Sequence, residues 1–337
     1  MISLLYIGNN LRDQGRNLTG MAALGPLLEQ KGYNLIYASS KANKLLRLWD
    51  MLRTCWVNKK RTNYVLIDTY STLNFWYAFF VSQLCRLLRL NYIPILHGGN
   101  LESRLKNNPF LSRLLFKHAY INVAPSGFIY DMFKRYGYSN LKHIPNTVKI
   151  KDYPFKKRTL GAVNLLWVRS FSKIYNPELT VKVLKRLMNE GVKASLCMVG
   201  PDSGDGSLQA TKQLAKDLQV SVTFTGKLTK QEWTALSADY NVFINTSNFD
   251  NMPVSVVEAM ALGLPVVSTN VGGMPYLIAH LKEGILVDPD NEEGFVAAII
   301  NLMSNPSIVS LMVQNARKKA ESFDWSVIKS QWVSILK

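Results

Sequence analysis

Short apolar runs alternate with helix-like stretches along almost the whole chain, and this alternation constrains the fold more than any other feature. The runs are too short for core helices and rich in β-branched and aromatic residues, so they are strand-like. They read SLLYI, YNLIYAS, YVLID, YIPIL and INVAPS in the first half, and NLLWV, SLCMVG, VTFTG, NVFINTS, PVVST and GILVD in the second. Strands that alternate with helices form parallel sheets through βαβ units. The sequence therefore predicts an α/β protein.

The segment HIPNTVKIKDYPFKKR interrupts this alternation near the middle of the chain. Its prolines, its lysines and its lack of a clear period are typical of a linker between domains. We therefore predict two doubly wound, Rossmann-like domains at 1–150 and 161–320, a linker at 151–160 and a final helix at 321–337. Doubly wound sheets bind ligands at the carboxyl ends of their strands. The two sheets are expected to face each other across a ligand-binding cleft.

The formal net charge of +17 resides entirely in the first half of the chain. Residues 1–158 contain 24 Lys and Arg against 7 Asp and Glu, whereas residues 159–337 contain 16 of each kind. This asymmetry predicts an anionic partner for the first domain. No aromatic RNA-binding signature or DNA-reading motif accompanies the charge, so nucleic acid is not the expected partner.

The cysteines and the apolar segments favour a cytoplasmic protein. Cys55, Cys85 and Cys197 have neither metal-site nor disulfide spacing, which suits a reducing compartment. The opening MISLLYIG reads as a short strand rather than a signal peptide. The longest wholly apolar run, Phe75 to Val81, is too short to cross a bilayer.

The segment SNFDNMPVSVVEAMALGLPVVSTNVGG keeps two carboxylates, Asp250 and Glu258, among uncharged residues. Pro253 suits the first position of a helix and Gly263 suits its C-terminal cap, so we predict a helix over about 253–262. Asp250 then precedes this helix and Glu258 lies inside it. The free N–H groups and positive dipole end of such a helix can hold a phosphate. A helix cap for Asp250 and a surface position for Glu258 are the alternatives.

Further polar side chains follow predicted strands and are candidates for the same site. His97 ends YIPILH and precedes two glycines, while Arg169 follows NLLWV with Lys173 close behind. The loop at 8–20 lacks the G-x-G-x-x-G pattern, which argues against a nicotinamide cofactor. The acidic pair at 288–290 lies in a turn before a helix, where Asp and Pro are common, so no metal is expected.

Together these motifs resemble those of the retaining glycosyltransferases of family 4, which have the two-domain GT-B fold. The most specific is DNMPVSVVEAMALGLPVVSTNVGG, which resembles the family's E-x7-E segment with Asp in place of the first Glu. VGPDSGDG, VTFTGKLTKQEW and NVFINTSN support it, and ILHGGNL, VAPSGFIYDMFKRYG and HIPNTV are similar to first-domain segments. FDWSVIKSQW resembles the last helix of this fold, which crosses back to the first domain.

The resemblance implies roles for individual residues. Glu258 would bind the ribose hydroxyls of a nucleotide sugar, Asp250 would face the donor sugar, and His97 would lie near the reacting carbon. Arg169 would bind the phosphates with Lys173, although the family's lysine usually lies one or two residues later. The implied nucleotide- and donor-binding residues are Gly15, Arg169, Lys173, Leu228, Asn251, Met252, Pro253, Val254 and Glu258, with His97 and Asp250 as the catalytic residues.

The resemblance also implies an activity. A hexose would pass from a nucleotide-diphosphate donor, with UDP favoured over GDP, to a hydroxyl of a glycan or lipid-linked acceptor. The configuration at the anomeric carbon would be retained by front-face attack, without a metal or any cofactor beyond the nucleotide sugar. Bacterial surface polysaccharide synthesis is the expected setting. A nucleotide-sugar epimerase on the same fold and a non-catalytic basic binding protein are the alternatives.

Two predicted helical segments, 41–56 and 101–118, combine basic residues with large apolar ones such as Trp49 and Phe110. Basic side chains are attracted to anionic lipid headgroups, and aromatic side chains can insert beside them. We therefore expect the first domain to dock on the inner face of the cytoplasmic membrane. The alternative is a pair of ordinary amphipathic helices whose apolar sides face the core.

Overall fold

The computed structural model describes residues 1–9 and 20–337, which form two compact units. The first unit consists of Met1–Thr147 together with Trp325–Lys337, and the second unit is Val148–Asp324.

The first unit contains a six-stranded parallel sheet within the described residues. Its strands are β1 (Ser3–Ile7), β2 (Asn34–Ala38), β3 (Tyr64–Thr69), β4 (Asn91–Leu96), β5 (Asn122–Ala124) and β6 (Leu141–His143). Its helices are α1 (Gly20–Glu29), α2 (Lys44–Asn58), α3 (Asn74–Leu87), α4 (Leu101–Asn107), α5 (Pro109–Phe116), α6 (Gly127–Arg135) and the last helix of the chain, α14 (Trp325–Ile335). The strand order is β2-β1-β3-β4-β5-β6.

Helices cover both faces of this sheet. Successive side chains of a strand point to opposite faces, so each strand contributes to an apolar cluster on either side. In β1, Leu5 and Ile7 pack in the same apolar cluster as buried residues of α2 to α6. Leu4 and Tyr6 point the other way and pack with buried residues of α1 and α14, including Trp332. Burial on both faces explains why the strands read as nearly continuous apolar runs.

The second unit repeats this architecture with another six-stranded parallel sheet within the described residues. Its strands are β7 (Val163–Val168), β8 (Ala194–Val199), β9 (Val222–Gly226), β10 (Val242–Asn245), β11 (Val266–Thr269) and β12 (Ile285–Val287). Its helices are α7 (Pro177–Asn189), α8 (Ser207–Asp217), α9 (Lys230–Leu236), α10 (Val254–Ala261), α11 (Met274–Leu277), α12 (Glu292–Ser304) and α13 (Pro306–Glu321). The strand order is β12-β11-β10-β7-β8-β9.

The predicted pair of doubly wound parallel sheets is confirmed, with differences at the element boundaries. Residues 151–160, expected as a linker, belong to the second unit, where the Tyr153 side chain is buried. Pro253, expected as the first helical residue, is instead the extended N-cap that precedes α10. The segment 101–118 is divided into α4 and α5, because Asn108 between them leaves the helical conformation.

No single helix of the described chain has both the length and the apolar character needed to cross a bilayer. By length and composition alone, α12 and α13 meet that requirement as a pair, and the chain bends by 106° between them.

Candidate functional site

Glu258 is a buried carboxylate on α10 that two side chains from other elements hold in place. It is 4% exposed, and its Oε1 atom accepts hydrogen bonds from the Tyr153 hydroxyl at 2.6 Å and from Lys230 Nζ at 2.7 Å. Burial and then the neighbouring Glu258 carboxylate raise the pKa of the Tyr153 phenol well above its usual value. The second oxygen, Oε2, has no hydrogen-bond partner among residues 1–9 and 20–337. Glu258 is therefore a fixed carboxylate with one acceptor oxygen still available.

Lys230, which sequence reasoning missed, is placed by the local structure that begins α9. Thr229 caps this helix by accepting from the Glu232 backbone N–H, and the Glu232 side chain accepts from the Thr229 N–H in return. This capping box fixes the helix start. Lys230 is the first helical residue, and its side chain is 47% exposed, so it neutralises Glu258 from the solvent side.

Arg169 and Asp250 form a second cluster in the same unit. Arg169 directly follows β7, and its Nη2 atom donates to Asp250 Oδ2. The guanidinium carbon also lies 4.2 Å from the ring centroid of Tyr175, a cation–π contact. Asp250 accepts in addition from the Ser247 hydroxyl at 3.3 Å and from the Asn251 N–H at 2.9 Å. The cluster thus fixes a cation just after β7 beside an anion in the loop ahead of α10.

Two consecutive glycines allow this loop to approach the chain that follows β11. A Cβ atom on Gly272 would overlap the Asp250 carbonyl, and one on Gly273 would overlap the Asn251 carbonyl. The Gly273 N–H donates to the Asp250 carbonyl at 2.9 Å. The NVGG end of the motif thus supports the acidic loop directly, which explains why the two sequence features occur together.

Lys173 does not join either cluster among the described residues. Its side chain is exposed, and the contact that places it is a backbone one, from its N–H to Asp205 Oδ2 at 2.8 Å. Asp205 also accepts from the Ser172 hydroxyl at 2.8 Å and from the Ser207 N–H at 3.1 Å. The Ser207 side chain first, and then the Lys173 N–H, hold the pKa of the Asp205 carboxyl well below its usual value. Asp205 thus ties the Lys173 segment to the loop after β8.

The other predicted donor-binding residues lie beside α10, except one. Leu228, Met252 and Val254 are partly buried against a single apolar cluster that includes the buried face of α10. Asn251 is 8% exposed and Pro253 is the N-cap of the helix. Gly15 lies outside the described residues.

In the first unit, His97 is held by a buried carboxylate that sequence reasoning also missed. Its Nε2 atom lies 3.0 Å from Asp68 Oδ1, and its ring stacks on Tyr70 with 5.4 Å between centroids. The Asp68 carboxylate accepts from the Tyr6 hydroxyl at 3.0 Å and from the Met21 N–H at 3.2 Å. Burial, followed by the Asp68 charge, raises the pKa of the Tyr6 phenol well above its usual value.

The placement of Asp68 and His97 follows from the sheet. Asp68 lies near the end of β3, and His97 directly follows β4. These strands are parallel neighbours in which Asp68 is registered with Ile95. Both side chains therefore occupy the carboxyl edge of the sheet, the edge at which this fold class binds ligands. The sequence signal that could have identified Asp68 is its position as the acidic residue at the end of the predicted strand YVLID.

The described residues contain no group of three or more His, Cys, Asp or Glu side chains that could hold a metal ion. Of the acidic pair at 288–290, Asp290 accepts a hydrogen bond from the Asn176 amide at 2.6 Å.

Comparisons with known proteins agree with the fold and the motifs. A family model described as glycosyl transferases group 1 matches residues 151–319, half of the chain. An uncharacterized glycosyltransferase of Haemophilus influenzae is 29% identical over 198 residues, or 57% of this chain and 53% of that protein. A sulfoquinovosyl transferase of Arabidopsis thaliana is 29% identical over 156 residues, or 44% of this chain and 29% of that protein. The aligned segments thus span about half, or less, of these relatives.

Solved structures extend the agreement to the whole chain. A sucrose-phosphate synthase from Thermosynechococcus elongatus matches with a TM-score of 0.82 and 15% identity, covering 99% of this chain and 98% of that one. HepE of Anabaena, solved in complex with UDP, matches with a TM-score of 0.79 and 16% identity, covering 100% and 99%. At such identities the likeness concerns the fold, and it confirms the predicted GT-B-type architecture. Since the family model matches half of the sequence, the chain belongs to the glycosyl transferases group 1 family.

Proposed function

We propose that this glycosyltransferase moves a hexose from a UDP-sugar to an acceptor hydroxyl with retention of anomeric configuration. The observation that carries the proposal is Glu258, a buried carboxylate held by Tyr153 and Lys230 with one oxygen available. A ribose diol can donate to that oxygen. HepE, similar in fold, has been solved with UDP and with UDP-glucose, which supports UDP over GDP.

The diphosphate of the donor would bind along the loop ahead of α10. Arg169 and the exposed Lys173 supply positive charge, and the first N–H groups of α10 add donors at the positive end of its dipole. Asp250 at present pairs with Arg169. A bound diphosphate gives Arg169 a second anionic partner, which leaves Asp250 more available to accept from donor-sugar hydroxyls.

In the proposed reaction, the bond between the anomeric carbon and the diphosphate oxygen breaks as a bond to the acceptor oxygen forms on the same face. The acceptor proton passes to the departing diphosphate. Negative charge grows on the phosphate as its bond to the anomeric carbon breaks, before that proton arrives, and Arg169, Lys173 and the helix dipole stabilise this charge without a metal. His97, oriented by Asp68, would hydrogen-bond the donor sugar at its reacting end.

The acceptor class and the setting belong to the same proposal. The +17 charge confined to residues 1–158 supports an acceptor at a negatively charged surface, such as a lipid-linked or membrane-anchored glycan. We place the protein at the cytoplasmic face of the membrane, in surface polysaccharide synthesis.

The test combines donor binding with product stereochemistry. UDP-, GDP- and ADP-sugars are screened by thermal shift, since a ligand that binds the folded state raises its unfolding temperature. We expect a rise with UDP-sugars alone, and a product of the donor's own anomeric configuration by NMR. Stabilisation by GDP- or ADP-sugars instead, or an inverted product, would contradict the proposal.

A further inference from the structure

Helix α2 has two apolar faces, although only one of them packs on the sheet. Met51 and Cys55 face the core of the first unit. On the outer side, Trp49, Trp56 and Val57 are 62%, 53% and 62% exposed. An amphipathic helix that only covers a sheet needs one apolar stripe, so the outer one is unexplained by folding. Exposed apolar surface of this extent marks an interaction site.

Helix α3 lies beside α2 and extends the outer apolar surface. Phe80 and Leu87 are 43% and 75% exposed, and with Leu84 they line one side of an open groove. Trp49 and Trp56 line the other side. We name this surface, formed by the outward side chains of α2 and α3, the α2–α3 groove.

The groove is surrounded by positive charge. Residues 41–89 contain 9 Lys and Arg against 2 Asp and Glu, and one of each kind, Arg47 and Asp68, is buried. Lys59 Nζ lies 3.7 Å from the centroid of the Trp56 ring, and the Arg53 guanidinium lies 5.7 Å from that of Trp49. The tryptophans thus have apolar rings with cations directly over them.

We propose that the α2–α3 groove docks on an anionic lipid bilayer. Indole rings prefer the boundary between headgroups and acyl chains, where the apolar ring and the polar N–H are both satisfied. Lysine and arginine beside them meet the headgroup phosphates and keep their stems on the apolar side. Charge complementarity therefore favours an anionic leaflet as the occupant. The inference rests on the proposed function in one respect: a membrane-anchored acceptor is the reason for the protein to dock on a membrane.

The other basic segment of this unit fits a membrane role less well. The Arg104 guanidinium on α4 donates to the carbonyls of Ser71 and Thr72 and lies 5.0 Å from the centroid of the Phe75 ring. It is thus part of the packing between α4 and α3. Among the described residues of α4 and α5, Phe110 is the one large apolar side chain that is exposed, at 71%, whereas α2 and α3 each expose at least two. The docking surface is accordingly assigned to α2 and α3.

Co-sedimentation of the full chain with vesicles tests the assignment. Phosphatidylglycerol-rich vesicles are compared with phosphatidylcholine vesicles, at low and high salt, with no donor present. We expect binding to the anionic vesicles, weakened by salt because salt screens the attraction. Replacing Trp49, Trp56 and Leu87 by serine together should lower vesicle affinity at least about tenfold, because it removes the inserted apolar area.

Charge reversal tests the electrostatic part. Replacing Lys59, Lys60 and Arg61 by glutamate should lower affinity by at least about a hundredfold, since each basic side chain near an anionic leaflet contributes roughly a fivefold factor. The matched control reverses the exposed lysines of the second unit, Lys182, Lys216 and Lys318. Far-UV circular dichroism verifies that every variant is folded.

A second matched control removes exposed aliphatic residues away from the groove. Ile308 and Leu311 on α13 are 50% and 62% exposed, and their replacement by serine should leave vesicle binding unchanged. The proposal is overturned by absence of binding to anionic vesicles at low salt, the result expected if a protein covers the groove. Equal binding to both vesicle types, or equal losses in groove and control variants, overturns it as well. Vesicle binding needs no donor sugar, so failure of the proposed activity would leave these results unchanged.

Discussion

The hydrogen bonds at Glu258 make Glu258→Gln an informative substitution, because the geometry dictates how the new amide must lie. Tyr153 and Lys230 both donate to Oε1. The ammonium of Lys230 can only donate, so the amide oxygen of glutamine must take the Oε1 position. The amide NH₂ then takes the place of Oε2. A ribose hydroxyl that would have donated to a carboxylate oxygen meets a donor instead.

The expected cost in folding stability is modest. In the variant, the Tyr153 hydroxyl donates to a neutral acceptor, a hydrogen bond worth about 0.5–1.5 kcal/mol. In the original protein it donates to a charged acceptor, a hydrogen bond worth about 1.5–3 kcal/mol. The Lys230 ion pair adds no more than about 1 kcal/mol, because the Lys230 side chain is nearly half exposed. A buried amide is also cheaper to desolvate than a carboxylate, which offsets part of the loss. We expect the free energy of unfolding to fall by about 1–2 kcal/mol.

We expect Glu258→Gln to lower the magnitude of the free energy of nucleotide binding by more than it lowers the free energy of unfolding. Loss of a charge-assisted hydrogen bond of about 1.5–3 kcal/mol corresponds to a roughly 10- to 100-fold rise in Kd. The loss should be similar for UDP and for uridine, because the proposed contact is to the ribose that both contain.

Titration calorimetry with UDP and uridine measures the affinities, and urea unfolding measures the stability. Glu283→Gln is the matched control: Glu283 is a 5% exposed carboxylate of the second unit that accepts from the Ala279 N–H at 2.8 Å. It should lose comparable stability and keep the UDP affinity. A folded Glu258→Gln variant whose UDP Kd stays within about twofold of the original would refute the ribose contact.

Three further outcomes follow from the geometry. Asp68→Asn should lower kcat by up to about a hundredfold with little change in donor KM, because His97 loses the carboxylate that orients it; unchanged turnover would show a purely structural contact. Gly273→Ala should lower UDP affinity and the unfolding temperature, since its Cβ overlaps the Asn251 carbonyl, whereas Gly161→Ala, in open space, should do neither. EDTA should leave transferase activity intact; metal-restored activity after EDTA treatment would contradict metal independence.

Features governed by neighbouring residues were predictable from the sequence. Burial on both faces turns parallel strands into apolar runs, so the strands and their alternation with helices could be identified. Spacing within one segment also placed Asp250 in the loop and Glu258 inside the helix that follows it. The alternative of a surface position for Glu258 is wrong, because that side chain is buried.

Contacts that depend on strand order were not predictable in this way. Tyr153 and Lys230 lie 105 and 28 residues from Glu258, and no local period connects them. Lys230 follows β9 at one edge of the sheet, whereas Glu258 follows β10, which pairs with β7 and β11. For the phosphate contact, the sequence suggested Lys173, four positions after Arg169, but the Lys173 N–H donates to Asp205. Which strand ends lie close together depends on the order of the strands in the sheet. A single sequence gives only the order of the strands along the chain. The partners that fix a buried charge therefore become visible only once the topology is known.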